Sequence, residues 1–223
     1  MDRNDKNYKR IIIGKRIAKE LNDGDFVNLG IGLPTEVANH IPDGVNVVFQ
    51  SENGILGVGP APTQGNEDKD LINAGGGFVT ELPGCSYFDS ALSFAVIRGG
   101  HLDMTVLGAL QVDQKGNLAN WWIPGKLVPG MGGAMDLVSG AKKVVVAMEH
   151  CDKHGNSKIL KECNLPLTAS GKVTLIVTDM AVMSVESDGL HLLEIAETLT
   201  IEDVKNATEA ELIIKGDIPS FGL

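Results

Sequence analysis

Lys143-Val144-Val145-Val146-Ala147-Met148 and Val173-Thr174-Leu175-Ile176-Val177-Thr178 decide how this chain folds. Both are near-continuous apolar runs rich in β-branched residues. A strand with one wet face alternates apolar and polar side chains, whereas a strand covered on both faces does not. Two such runs predict a largely parallel or mixed core sheet, and with the helical stretches beside it an α/β domain.

Moving outward, the same reading places further elements. Leu102 to Gly108 and Asp25 to Leu29 read as strands, as does Val45-Asn46-Val47-Val48-Phe49-Gln50. Residues Tyr8 to Asn22 space Ile11, Ile12, Ile17, Ala18 and Leu21 helically, with Gly24 as the stop. Asp89 to Arg98 predicts a mostly buried helix, with Asp89 or Ser90 as its cap and Gly99-Gly100 as its end. Lys115-Gly116-Asn117 predicts a reversal, and Ser187-Asp188-Gly189 joins strands within Ala181 to Leu193. Thr200 with Asp203 predicts the start of a helix through about Ala207. Glu149 to Lys161 is polar and reads as a surface loop or edge hairpin, Pro60 to Asp70 as a surface loop, and Trp121 and Trp122 either line a pocket or fill the core, with core filling favoured. Internal repeats and low-complexity linkers are absent from the sequence, so a single domain over residues 1–223 is expected.

Composition narrows the function. A chain of 223 residues with 27 Gly and 4% aromatics suggests tight turns around an aliphatic core. The net charge of −10 would repel phosphate backbones and anionic lipid, so neither nucleic acid nor membrane is the expected partner. Any anionic ligand must then be held locally. Three cysteines without CxxC spacing, and an opening Met1-Asp2-Arg3-Asn4-Asp5 without an apolar export segment, suggest a reducing cytoplasm. His150, Cys151 and His154 fit no standard zinc spacing, so no metal is expected.

Two Gly-rich turns could offer backbone donors to an anion. Gly30-Ile31-Gly32-Leu33-Pro34-Thr35 follows a strand and leads into a short helix from Thr35 to His40. It is not a dinucleotide fingerprint, because Thr35 stands where the third glycine belongs. Pro124 to Gly133 makes a second Gly-rich entry into an apolar segment. Between these turns in the sequence, Ser51-Glu52-Asn53-Gly54 puts a carboxylate where a strand stops, before the flexible-looking Gly54 to Pro60. In open α/β folds, strand ends are where ligands are handled.

Asn28-Leu29-Gly30-Ile31-Gly32-Leu33-Pro34-Thr35, Ser51-Glu52-Asn53-Gly54 and Gly130-Met131-Gly132-Gly133-Ala134-Met135-Asp136-Leu137 together resemble the β subunit of family I CoA-transferases. Ser93 to His101 and Leu107 to Asp113 agree, and the similarity runs from about residue 8 to 200, nearest to the butyrate/acetoacetate (3-oxoacid) type. The resemblance implies an open α/β domain of the CoA-transferase type, paired with a separate α subunit in a heterotetramer. It implies Glu52 as nucleophile, Asn28 as the side chain orienting its carboxyl group, and Gly132 and Gly133 as backbone donors to the thioester oxyanion. Acetoacetate, butyrate and acetate are the implied acids, with CoA as a substrate and no separate cofactor.

The chemistry suits these residue types. A glutamate imitates the carboxylate acceptor and exchanges one thioester for another, so neither ATP nor a strong general base is needed. The histidines at 40, 101, 150, 154 and 191 need not be catalytic. Two other readings stay open: a CoA-ester hydrolase using the same Glu52, and a non-catalytic subunit that only binds CoA.

Overall fold

The computed structural model describes residues 5–125 and 130–223. Residues 1–4, used in the export-signal reading, and 126–129 of the second Gly-rich segment lie outside the described residues. The chain opens with helix α1 (Lys6–Ala18), where the Asp5 carboxylate accepts from the Asn7 N–H at 2.8 Å. Strand β1 (Phe26–Leu29), a 3-10 helix (Leu33–His40), β2 (Val48–Ser51), β3 (Ile55–Val58) and β4 (Glu81–Tyr87) follow. Helix α2 (Ser90–Arg98) then leads to β5 (Met104–Leu107), β6 (Gln111–Asp113), β7 (Leu118–Ala119) and helix α3 (Ala134–Gly140). The remaining elements are β8 (Lys143–Ala147), β9 (Ile159–Leu160), β10 (Leu175–Val177), β11 (Ala181–Glu186), β12 (Gly189–Ala196), α4 (Ile201–Ala207), β13 (Leu212–Ile213) and β14 (Ser220–Phe221).

Eleven strands form one mixed sheet in the order β4-β3-β2-β1-β5-β8-β10-β11-β12-β13, with β14 also on β12. Its centre, β2-β1-β5-β8-β10, is parallel. On the flanks, β3 and β4 pair antiparallel on one side, β11 and β12 on the other. Alternate residues of the central strands feed two cores. Val27, Val106, Val145 and Val177 pack under Ile12, Ile13 and Ile17 of α1. Val144, Val146 and Ile176 face the other way, toward Ile97, Leu137 and Val138 of α2 and α3. Each such aliphatic side chain contributes about 1.5–3 kcal/mol on full burial. This two-sided covering is the reason β8 and β10 lack alternation.

Polar groups fix the layers. Buried Arg16 reaches from α1 to β12, donating to both Glu194 oxygens at 2.8 and 2.6 Å and to Glu20 at 2.6 Å. Buried Asp113 accepts from the Lys115 N–H, the Asn117 N–H and Asn117 Nδ2, which builds the expected reversal between β6 and β7. The Thr200 and Asp203 side chains close a reciprocal capping box at α4.

Several expectations need correction. The first helix ends at Ala18, not Asn22, because the Asn22 N–H and Nδ2 both bond the Asp25 carboxylate in a turn. Strand β2 begins only at Val48, since the Asn46 N–H and Nδ2 are held by Asp23. Gly54 to Pro60 is not a flexible run: Ile55–Val58 is a strand whose Gly57 lies so close to β4 that a Cβ would stand 3.0 Å from the Cys85 α-carbon. Helix α2 buries only Ser93 and Ile97, leaving Leu92 52% exposed. The stretch Glu149 to Lys161 is closed as a hairpin by an antiparallel bridge between Cys151 and Ser157 and is exposed over residues 152–156, but His150 at its base is fully buried. Trp121 and Trp122 are half-buried, with ring centroids 5.6 Å apart, rather than core.

Candidate active site

Glu52 follows β2 directly, at the C-terminal edge of the parallel strands. β1 has β2 on one side and β5 on the other, so the direction of winding reverses at β1. The crevice beyond the strand ends at such a reversal is where open α/β sheets receive ligands. Glu52 itself is half-buried.

Its turn is built by its neighbours. The Gly54 N–H donates to the Ser51 carbonyl at 3.0 Å, closing a tight turn with Glu52 and Asn53 at its corners. Gly54 has φ +116°, and a Cβ there would lie 2.0 Å from the Phe88 carbonyl oxygen, so only glycine fits. Ser51 Oγ accepts from the Ala74 N–H at 2.9 Å, and Asn53 Nδ2 donates to the Ile72 carbonyl at 2.7 Å. The loop at residues 71–77 is thereby tied to the turn that presents Glu52.

Asn28 comes to Glu52 through sheet register. It lies opposite Gln50 on β2 and Thr105 on β5. Asn28 Nδ2 donates to Glu52 Oε2 at 3.1 Å, and also faces the Gln50 side-chain oxygen at 2.8 Å and the Gln50 carbonyl at 3.2 Å. Gln50 Nε2 in turn donates to Ser93 Oγ of α2 at 2.9 Å. Asn28, Gln50, Ser93 and Thr105 are all buried. Gln50 and Ser93 carry no local sequence signal, since a polar residue near a strand end or inside a helix is ordinary.

Gly133 stands at the start of α3, and a Cβ on it would be 3.5 Å from the Glu52 γ-carbon and 3.4 Å from the Phe94 ring. The first N–H groups of a helix have no partner within it. Gly132, with φ +57°, is exposed, and open space lies where its Cβ would stand. The structure therefore brings Glu52, Asn28 and Gly133 together and puts Gly132 one residue outside that cluster. Helices α2 and α3 are joined by Arg98 to Asp136 at 2.7 Å, with the guanidinium 5.6 Å from the Phe94 ring centroid.

Among the described residues one cluster has metal-ligand chemistry: Glu186, Asp188 and His191, whose ligand atoms lie within 4.8 Å of one another. It sits on the β11–β12 turn, on the flank of the sheet away from β2 and Glu52, and Asp188 already pairs with His191 at 2.6 Å and Lys215 at 3.3 Å. His150, with Cys151 and His154 nearby in sequence, has both ring nitrogens on threonine hydroxyls, Thr178 and Thr208, at 2.9 Å each.

A family model described as coenzyme A transferase matches residues 10–207. A subunit of the succinyl-CoA:3-ketoacid coenzyme A transferase of Helicobacter pylori is 56% identical over 206 residues, which cover 92% of this chain and 99% of that protein. The β subunit of the acetate CoA-transferase of Escherichia coli K12 is 54% identical over 206 residues, 92% of this chain and 94% of that one. Among solved structures, the acyl-CoA transferase YdiF apoenzyme from Escherichia coli O157:H7 superposes with TM-score 0.76 at 22% identity, over 99% of this chain and 44% of that one. The chain thus spans less than half the length of YdiF. The decarboxylase AibA/AibB superposes with TM-score 0.72 at 16% identity, over 96% of this chain and 88% of that one. The last two share the fold, and a decarboxylase among them illustrates that fold alone does not determine chemistry.

Proposed function

This chain belongs to the coenzyme A transferase family, and on that premise we propose that it moves CoA between a short-chain acyl-CoA and a carboxylic acid through a thioester on Glu52. The acids are of the acetate, butyrate and acetoacetate class, in keeping with the acetate and 3-ketoacid substrates in the names of its relatives. The observation that carries this reading is the half-buried Glu52 carboxylate at the strand-end crevice, held by Asn28 and beside the Gly133 backbone.

The route balances without further reagents. A Glu52 oxygen attacks the acyl-CoA carbonyl, the carbon–sulfur bond breaks, and an acyl-glutamyl anhydride and CoA thiolate result. The thiolate attacks the glutamyl carbonyl, expelling the first acid as its carboxylate and leaving glutamyl-CoA. A second carboxylate runs the sequence backwards, so the kinetics are ping-pong. Each attack places negative charge on a carbonyl oxygen. The N–H groups of Gly133 and, beside it, Gly132 are the proposed donors to that oxygen, and such a donor is worth about 2.7–4 kcal/mol. Asn28 keeps a carboxylate oxygen of Glu52 aimed. CoA is a substrate here, and the route uses no other cofactor.

The proposed partner is an α subunit in a hetero-oligomer, with the whole chain acting as one β-subunit domain. The names of its relatives describe them as subunits, one of them as a β subunit. On the loops and elements that adjoin the Glu52 turn, Ile31, Ile72, Phe78, Leu82, Leu92 and Met135 are exposed, 73% in the case of Ile31, which suits a partner surface. Covering that surface would keep water from the anhydride, which separates transfer from hydrolysis. The proposed setting is the cytoplasm, in keeping with three free thiols. No helix described is long and apolar enough to cross a membrane.

The test is Glu52→Gln in the assembled complex. Transfer to acetate falls to background while fold and assembly are kept. Unchanged turnover would contradict the assignment, and turnover with water in place of acetate would mark a hydrolase.

A further inference from the structure

We infer that Gln50 and Ser93 are positioning residues for transfer, fixing the Asn28 amide so that its N–H stays on Glu52 through both attacks. The inference rests on Glu52 being the nucleophile. The Asn28 NH₂ faces three acceptors, and one of them, the Gln50 backbone carbonyl at 3.2 Å, can only accept. That carbonyl, at the longest of the three distances, favours the NH₂ end of the amide toward β2 without holding it alone. The Gln50 side chain must then present its oxygen to Asn28, at 2.8 Å, and its own NH₂ to Ser93 Oγ, at 2.9 Å. The polarity of the whole row, from Glu52 to α2, is set by these acceptors together, and the side-chain oxygen of Gln50 makes the shortest contact.

On its other side Asn28 is not held. Among the described residues Asn28 Oδ1 has no hydrogen-bond partner, and neither does Thr105 Oγ1, on the strand paired there. Turning the amide over would set its oxygen against the Glu52 carboxylate and both Gln50 oxygens. Removing the Gln50 side-chain oxygen takes away the shortest of the three bonds that prevent this. Ser93 anchors the far end from a different layer, so the alignment of α2 against β2 is transmitted to the nucleophile. Gln50 and Ser93 are both buried and act through Asn28.

The experiment uses the assembled enzyme and follows the CoA adduct on Glu52 by rapid quench and peptide mass spectrometry. Gln50→Leu frees the Asn28 amide to leave Glu52 and slows adduct formation by about 10- to 100-fold, the range for losing the Asn28 hydrogen bond to the charged Glu52, while the final adduct extent and KM for acyl-CoA match wild type. A merely structural role would lower the extent instead, because fewer molecules would be competent. Ser93→Thr and Ser93→Val add nearly the same bulk and differ in the hydroxyl, so Thr is the faster of the two. In an Asn28→Ala background, Gln50→Leu adds no further loss. Equal rates for Gln50→Leu and wild type, or losses that simply multiply with Asn28→Ala, would overturn the inference. Absence of any adduct in the wild-type complex would instead overturn the nucleophile assignment beneath it.

Discussion

The α-carbon of Gly54 faces the carbonyl oxygen of Phe88 so closely that a Cβ would stand 2.0 Å from it. The Phe88 N–H also donates to the Gly54 carbonyl at 3.0 Å, so the end of β4 is clasped to the turn that carries Glu52. Gly54→Ala meets both a backbone clash and a positive φ. It is expected to destabilise the chain by more than about 1 kcal/mol and to disorder the turn, reducing transfer beyond the stability loss. Urea unfolding together with transfer assays on the folded fraction checks this.

Among the described side chains, Asn28 is the one that donates to the Glu52 carboxylate, at 3.1 Å. Asn28→Ala removes that donor and leaves the buried Gln50 oxygen without its partner, a cost of about 1–3 kcal/mol in stability. Transfer is expected to fall by about 10²-fold or more at saturating acyl-CoA, as for loss of one preorganised donor. Steady-state assays in both directions measure it, and an unchanged kcat contradicts the orienting role.

His150 supplies a pH dependence. Desolvation between the layers pulls its pKa from 6.5 to about 4, and the neutral ring is satisfied by the two threonine hydroxyls. Between those values the unfolded chain binds a proton that the native chain does not. The contribution is therefore complete above pH 6.5, declines as pH falls, and is lost below about pH 4. It amounts to roughly 3 kcal/mol at most. His150→Gln is expected to show a smaller drop in urea midpoint between about pH 7 and 5 than wild type.

The exposed edge strand gives an assembly prediction. Leu82 on β4 is 40% exposed and Phe78, just before that strand, 45%. Leu82→Asp is expected to weaken partner binding by about tenfold or more, the effect of an interface residue worth over 1 kcal/mol. The isolated chain's Tm should stay within a few degrees, because the side chain is already half in water. Light scattering and calorimetry on the mixed subunits check both parts.

How much of this was legible in the sequence depends on whether the cause was local. Val144 to Val146 and Leu175 to Val177 announced a sheet covered on both faces, and Thr200 with Asp203 announced a helix start, because each pattern sits within a few residues. Ser51 to Gly54 marked the turn, though not the antiparallel β3 beyond it, whose Gly57 looks like a breaker until β4 is laid against it. β4 was invisible because most of its residues are exposed, which erases alternation. The meeting of Asn28 with Gln50, and of Gln50 with Ser93, depends on sheet register and helix docking that no short stretch encodes. His150 shows the same limit from the other side. Its stretch is polar, yet its partners are Thr178 and Thr208, far along the chain.

Whether Glu52 carries CoA covalently is open to one direct measurement. The chain, assembled with the proposed α subunit, is incubated with acetoacetyl-CoA or butyryl-CoA, digested and mapped by mass spectrometry. The expected result is a CoA adduct on Glu52 that acetate removes with formation of acetyl-CoA. A complex that binds CoA and turns over, yet leaves Glu52 unmodified under rapid quench, would contradict it.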